Sequence, residues 1–307
     1  MDQHNDFIDD NSVSITIGDI ESNLMRDIMD KIEELSKTRS NIVISGEHGT
    51  GKRWLANMIH SLEDGNNIDF CHISCDQIQS AGLDYIISST KENVINSERC
   101  NILIDNFSEL NVSSQIELLE CIIKLQENNQ GYNSNTNSCR FIFTVNNTWQ
   151  QKNYDHYVWT YLTDLLNPIS ILIPPLREHR EDIRPFSRLF LKQIARHHQE
   201  QYGESRQLTI SNQALHKCIS YPWPGNIRQF KNALTHAYFS TKGNVIQPED
   251  LPISLEISSL FDPKLLESTK SWSFLNAEKK LRDQTVNESS LIDFNIKEIL
   301  FKLISNR

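Results

Sequence analysis

The sequence predicts an α/β fold, a parallel sheet flanked by helices, followed by a small all-helical domain. Three observations carry this. Residues 46–52 read Gly46-Glu47-His48-Gly49-Thr50-Gly51-Lys52, a G-x-x-x-x-G-K phosphate loop. A strand-like run, Ile42-Val43-Ile44-Ser45, precedes it and a helix-like run, Trp54-Leu55-Ala56-Asn57-Met58-Ile59, follows. Short apolar runs then alternate with segments of helical spacing as far as Pro174-Pro175, after which the strand candidates stop.

The elements follow in order. Between Asp19 and Lys37, Ile20, Leu24, Ile28, Ile32 and Leu35 recur at helical spacing and predict one apolar face. Strands are predicted at Asn41–Ser45, Ile68–Ser74, Asn101–Asp105, Arg140–Val145 and Ser170–Ile173. Helices are predicted on Trp54–Leu62 and on Ser113–Leu125, the latter with Ile116, Leu119, Ile122 and Ile123 inward. The Asn/Gly-rich stretch Glu127–Ser138 reads as a surface loop. Beyond Pro175, helices are predicted on Glu181–Gln201 (with Phe186, Leu189, Phe190 and Ile194), Ser211–Ser220 and Asn226–Phe239. Pro248, Pro252 and Pro263 punctuate a polar tail with a last helix candidate at Leu291–Ile304. The expected organisation is a flexible segment at 1–16, an α/β nucleotide-binding domain at 17–175, a helical lid at 176–252, and a linker with a C-terminal helix at 253–307.

Composition narrows the function classes. A chain of 307 residues has room for one large and one small domain. No apolar run approaches the length that crosses a bilayer, and the start, Met1-Asp2-Gln3-His4-Asn5-Asp6, does not read as a signal peptide. The six cysteines form no C-x-x-C pair and no zinc spacing, so reduced, mostly buried thiols of a cytoplasmic protein are expected. Cys71 and Cys75 read as strand-end residues, with a ligand or redox pair as the alternative. The net charge of −10 and pI near 5.5 argue against an intrinsic nonspecific nucleic-acid binder.

The chemistry of the loop is legible residue by residue. Gly46, Gly49 and Gly51 let the backbone turn so that successive N–H groups, from Glu47 through His48 and Thr50, point inward. Those donors and the positive end of the following helix suit a polyphosphate, and Lys52 reaches its terminal phosphates. A second signal is Asn101-Ile102-Leu103-Ile104-Asp105, an apolar strand ending in an Asp of the kind that helps hold magnesium in phosphate-loop proteins.

With these residues in hand, the chain resembles the central AAA+ domain of bacterial enhancer-binding proteins, the NtrC-type activators of sigma-54 RNA polymerase. The resemblance rests on Ser45–Lys52 and on Thr144-Val145-Asn146-Asn147, which puts Asn146 at the sensor-one position. It rests equally on the lid entry Pro174-Pro175-Leu176-Arg177-Glu178-His179-Arg180-Glu181-Asp182-Ile183 and on Tyr221-Pro222-Trp223-Pro224-Gly225-Asn226-Ile227-Arg228-Gln229-Phe230. Pro248-Glu249-Asp250-Leu251-Pro252 closes the lid. It covers about residues 15–252 and implies an AAA+ P-loop NTPase fold binding ATP or ADP with Mg2+. In it Gly46–Arg53 and Arg228 contact the nucleotide, Asp105 faces the metal, and Asn146 orients water or senses the terminal phosphate. By position alone Arg228 would be a solvated helix residue.

The departures from that family point in one direction. The residue after Asp105 is Asn106, where the family has a water-activating Glu; an amide accepts no proton, and general-base help is worth roughly two to four powers of ten. The arginine-finger positions fall on Trp159 and Leu165, and Tyr157–Asn167 contains no Arg or Lys. A finger contributes a factor of about a thousand or more. The interval from Gln77 to Cys100 contains no Gly-Ala-Phe-Thr-Gly-Ala loop for sigma-54, and no recognition helix follows Asn295–Ile304. Arg53 stands where the family has an acidic residue after the Lys.

The expectation is therefore a transcription regulator with a degenerate nucleotide-binding AAA+ domain, very weak as an ATPase if active at all. It would act by contact with another AAA+ activator or regulatory protein, in a homo- or hetero-oligomeric ring, with no direct DNA or membrane binding. Two alternatives stay open: an active ATPase that remodels sigma-54 polymerase, and a sensor for another nucleotide such as a cyclic dinucleotide.

Overall fold

The computed structural model describes residues 20–63, 68–75, 78, 99–128, 138–149, 155–203 and 206–253. The segments expected at 1–16 and 254–307, including the last helix candidate, lie outside the described residues. So do positions 77 and 79–98 of the interval read for a sigma-54 loop.

Five parallel strands form the sheet: β1 (Ile42–Ser45), β2 (Ile68–Ser74), β3 (Arg99–Asp105), β4 (Ser138–Val145) and β5 (Ile169–Leu172). Their order is β2-β3-β4-β1-β5. Helices α1 (Asn23–Ser36), α2 (Lys52–Ser61), α3 (Val112–Asn128) and α4 (Asp155–Leu166) belong to this part of the chain. The two-residue period of a strand sorts its side chains between two cores. Ile42 and Ile44 of β1, Leu103 of β3, Ile142 of β4 and Ile171 of β5 pack with α1 and α2. Val43, Ile102, Ile104, Phe141 and Phe143 face the other way and pack with Leu118, Leu119 and Ile122 of α3 and Val158 and Leu162 of α4. β1 is buried on both faces, as a central parallel strand requires. Each such side chain contributes roughly 1.5–3 kcal/mol relative to exposure.

The lid contains α5 (Ile183–Tyr202), α6 (Asn212–Ser220), α7 (Asn226–Ser240) and a small parallel ladder of β6 (Thr209–Ile210) with β7 (Val245–Ile246). Its core is aromatic: Phe186, Phe190, Phe230, Trp223 and Tyr221 meet ring against ring at centroid distances of 4.8–5.9 Å. The Trp223 indole N–H donates to the Cys218 carbonyl at 2.7 Å, so this buried ring keeps its polar partner. The Asp182 carboxylate ties the lid entry to the start of α1. It accepts from the backbone N–H groups of Glu21 and Ser22 at 2.7 and 2.8 Å and from the Ser22 hydroxyl at 2.6 Å, with His179 Nδ1 at 2.9 Å.

The structure corrects several details. On α1 the buried stripe is Met25, Met29, Ile32 and Leu35, while Leu24 is 43% exposed. The methionines complete a helical face that counting only branched residues misplaces by one position. Ile116 is 37% exposed, and α3 turns Gln115 and Leu118 inward beside the expected Leu119 and Ile122. Helix α4 was not foreseen, since its aromatic and β-branched residues are weak helix formers. Cys100 and Cys139 are joined by a disulfide, Cα–Cα 4.7 Å, where the reading expected reduced thiols. The register that pairs them across β3 and β4 is a tertiary fact. Among the described residues no helix is long and apolar enough to cross a membrane.

Candidate nucleotide site

Parallel pairing aligns the carboxyl ends of β1, β3 and β4, and the loops leaving them meet there. β1 leads into the phosphate loop, and α2 starts at Lys52 with Gly51 as its N-cap at φ 95°. Gly49 has φ 77°. Both angles are left-handed and favour glycine. Gly46 is needed for space: a Cβ there would lie 2.9 Å from Thr50 Oγ1 and 3.0 Å from the Ile173 carbonyl oxygen. The Thr50 hydroxyl donates to the Glu47 carbonyl at 2.9 Å. Lys52 is buried, and its ammonium donates to the carbonyls of Gly46 and Glu47, both at 2.9 Å. Burial pulls its pKa below the usual lysine value, while nearby Asp105 acts in the opposite sense and Arg228 in the same sense.

The lid closes on this loop through contacts the sequence did not reveal. Arg177 grips the Glu47 carboxylate with both ends of its guanidinium, at 2.8 and 2.6 Å. The Asn226 side chain donates to Glu47 Oε2 at 3.1 Å and to the His48 carbonyl at 2.9 Å, and its oxygen accepts from the Leu176 N–H at 2.9 Å. Asn226 holds φ 51° at the first position of α7, a conformation Asn tolerates. The Arg228 N–H donates to the Gly49 carbonyl at 3.2 Å. A Cβ on Gly49 would lie 2.3 Å from the Gly225 carbonyl oxygen, so loop and lid touch backbone to backbone. The hydrogen bond from Arg177 holds Glu47 below its ordinary pKa against the upward pull of burial, and Glu47 raises Arg177 in return. His48 is exposed, 3.5 Å from Glu109.

At the end of β3, Asp105 is buried and fully engaged. Oδ2 accepts from Arg53 Nε at 2.8 Å and lies 2.7 Å from a second guanidinium nitrogen. Oδ1 accepts from the Thr144 hydroxyl at 2.5 Å, and His72 Nε2 is 3.7 Å from Oδ2. Burial would raise this carboxyl, but His72, Thr144 and Arg53 together hold it far below the carboxylate range. Asn106 follows in the left-handed region, φ 60°, with its N–H donating to Thr144 Oγ1 at 2.8 Å. Asn146, just past β4, accepts on its side-chain oxygen from the N–H and hydroxyl of Thr148 at 3.2 and 3.3 Å. Its own N–H donates to Ser108 Oγ at 3.0 Å.

The loop, Lys52, Arg53, Asp105 and the first turn of α7 therefore converge, with Asn106 and Asn146 alongside. The sequence reading missed Arg177, Asn226 and Thr144. The first two stand inside the motifs that carried the resemblance, but only the fold points them at Glu47. The donor set does not fit a magnesium ion. Asp105, the carboxylate that would meet the ion, already faces the Arg53 guanidinium through two nitrogens.

Comparison with known proteins bears on the family and the fold. The family model described as the Sigma-54 interaction domain matches residues 20–176, just over half of the chain, and the AAA+ ATPase lid domain matches residues 177–264. The Escherichia coli DNA-binding transcriptional activator HyfR is 27% identical over 246 residues, covering 75% of this chain and 36% of HyfR. Transcriptional regulatory protein XylR of Pseudomonas putida is 28% identical over 274 residues, covering 84% and 45% respectively. The chain thus spans between about a third and half of the length of these relatives. Among solved structures, NtrX from Brucella abortus in complex with ATP matches with a TM-score of 0.58 at 20% identity. That match covers 85% of this chain and 60% of NtrX. The same protein in complex with ADP matches with a TM-score of 0.56 at 20% identity, covering 78% and 55%. The likeness shows the fold. The parallel sheet, the phosphate loop with its lid and the matched residues lead to one conclusion: this chain belongs to the Sigma-54 interaction domain family of AAA+ proteins.

Proposed function

We propose that the chain is a cytoplasmic regulator of sigma-54-dependent transcription that binds ATP or ADP and acts by protein contact, with little or no hydrolysis. The observation that carries this is the lid's grip on the phosphate loop through Arg177, Asn226 and Arg228, around a buried Lys52. That arrangement suits holding a polyphosphate. The hydrolytic positions have different chemistry. Asn106 has no carboxylate to take a proton from water. On α4, Trp159 is turned to the core and packs edge-to-face on Trp149 at 5.8 Å, and Leu165 is apolar. Neither stabilises transferred charge as an arginine finger does.

Helix α4 also supports the protein-contact part of the reading. Tyr157, Tyr161 and Leu165 recur every fourth residue and are 78%, 36% and 40% exposed, so they share one helical face. That face suits an AAA+ neighbour, a second copy or a related activator. Nucleotide that binds the folded state alone raises stability by about 2.7 kcal/mol at a hundredfold excess over its dissociation constant. Saturating ATP or ADP is expected to raise the melting temperature of the native chain and to leave Lys52→Ala unmoved. A native chain whose melting ignores both nucleotides contradicts the proposal, and a response to a cyclic dinucleotide alone would replace it.

A further inference from the structure

We infer that Arg53 takes the place of the divalent cation in this site, so that the pocket binds nucleotide without magnesium. The inference rests on the nucleotide reading above and specifies the form in which the ligand is taken. The Arg53 guanidinium meets Asp105 Oδ2 through two nitrogens, at 2.8 and 2.7 Å, on the carboxylate that ends β3. Thr144 occupies the other carboxylate oxygen at 2.5 Å and also receives the Asn106 N–H at 2.8 Å. This polar cluster is closed within the protein on the Asp105 side. Magnesium demands near-octahedral oxygen ligands at about 2.0–2.1 Å and keeps several waters. To bind here it would have to displace a guanidinium, or sit against one and meet its charge.

The local sequence explains the exchange. In the general G-x-x-x-x-G-K-[ST] phosphate loop the residue after the lysine bears a hydroxyl that meets magnesium, and in the family this chain resembles it is acidic. Here that position carries a long, permanently charged side chain in the first turn of α2. The Arg53 guanidinium engages Asp105 through two nitrogens and brings a permanent positive charge to the phosphate loop. Lys52 and Arg228 supply further positive charge close by: the Lys52 ammonium donates to the Gly46 and Glu47 carbonyls and the Arg228 backbone N–H to the Gly49 carbonyl of the same loop. Three cationic side chains thus offset a polyphosphate that ordinarily arrives with a metal ion. The same substitution removes the metal's aid to phosphoryl transfer, consistent with Asn106 next door.

The test is the dissociation constant of ADP and of ATP for the full chain, measured by calorimetry in magnesium buffer and in EDTA. The native chain is expected to bind equally well in both, or better in EDTA. Arg53→Ser, with folding checked by circular dichroism, is expected to bind about tenfold or more weakly in EDTA than in magnesium, having lost a charge-assisted contact and gained the hydroxyl that meets magnesium in the general phosphate loop. Native binding that weakens more than about tenfold on metal removal overturns the proposal and leaves the nucleotide reading standing. So does Arg53→Ser binding that is as metal-independent as the native chain. Absence of native binding in both buffers overturns the nucleotide reading, and this inference with it.

Discussion

Two carboxylates flank Lys52, each held by an arginine, and they differ in what the pair connects. Glu47 and Arg177 join the phosphate loop to the lid entry across 130 residues of chain. Asp105 and Arg53 join the end of the central β3 strand to the first turn of α2, inside the α/β part. The first pair is half-buried and shares Glu47 with Asn226; the second has a deeply buried acid and a more exposed base. One therefore fixes where the lid rests, and the other fixes the charge at the end of β3. On the proposed reading, the contrast separates recognition from catalysis: the residues proposed to grip nucleotide are linked through the lid, whereas the positions where the resembled family carries its hydrolytic residues lie at the end of β3 and on α4.

The largest expected effect comes from forcing loop and lid apart. Gly49→Ala places a Cβ 2.3 Å from the Gly225 carbonyl oxygen, at φ 77°. The left-handed backbone costs about 1–2 kcal/mol and the overlap about 1–3 kcal/mol. A stability loss of roughly 2–5 kcal/mol in chemical denaturation is expected from those two costs, together with loss of nucleotide binding. A variant that keeps both native stability and affinity would show that the lid contact is dispensable.

A smaller effect sharpens the comparison by pH. Glu47 and Asp182 both have native pKa values below their ordinary ones, held down chiefly by Arg177 at Glu47 and by His179 and Ser22 at Asp182, against burial. Each contributes stability that is present above its unfolded pKa, about 4.3 for Glu and 3.9 for Asp. That contribution is lost as pH falls through the lowered native value. Melting temperature is expected to hold from pH 7 to about 5 and then to drop. Glu47→Gln removes its share, about 1 kcal/mol for a partly exposed pair, and leaves the Asp182 share. Identical acid profiles for the native chain and Glu47→Gln would show that the Glu47–Arg177 pair carries no stability.

How much of this was legible depends on range. The phosphate loop could be read because its signal is local: glycines, lysine, and a strand and helix on either side. The sheet could be read because Ile102-Leu103-Ile104 or Ile42-Val43-Ile44 is buried on both faces whatever its partners. The partners of Glu47 could not, because Arg177 and Asn226 lie 130 and 179 residues away and only the closed lid brings them in. Arg53 was visible as a departure, but its grip on Asp105 needed α2 and β3 side by side. Helix α4 escaped because its Trp, Tyr and Thr residues have weak helical propensity and its packing on α3 supplies the stability.

The claim at the centre is that nucleotide is held and not turned over. Phosphate release by the purified chain under saturating ATP, with and without magnesium and across a range of protein concentrations, tests it directly. Release is expected at the background of Lys52→Ala throughout, with at most a slight gain in Asn106→Glu, because Trp159 and Leu165 still supply no finger. Release well above that background, abolished by Lys52→Ala, would contradict it.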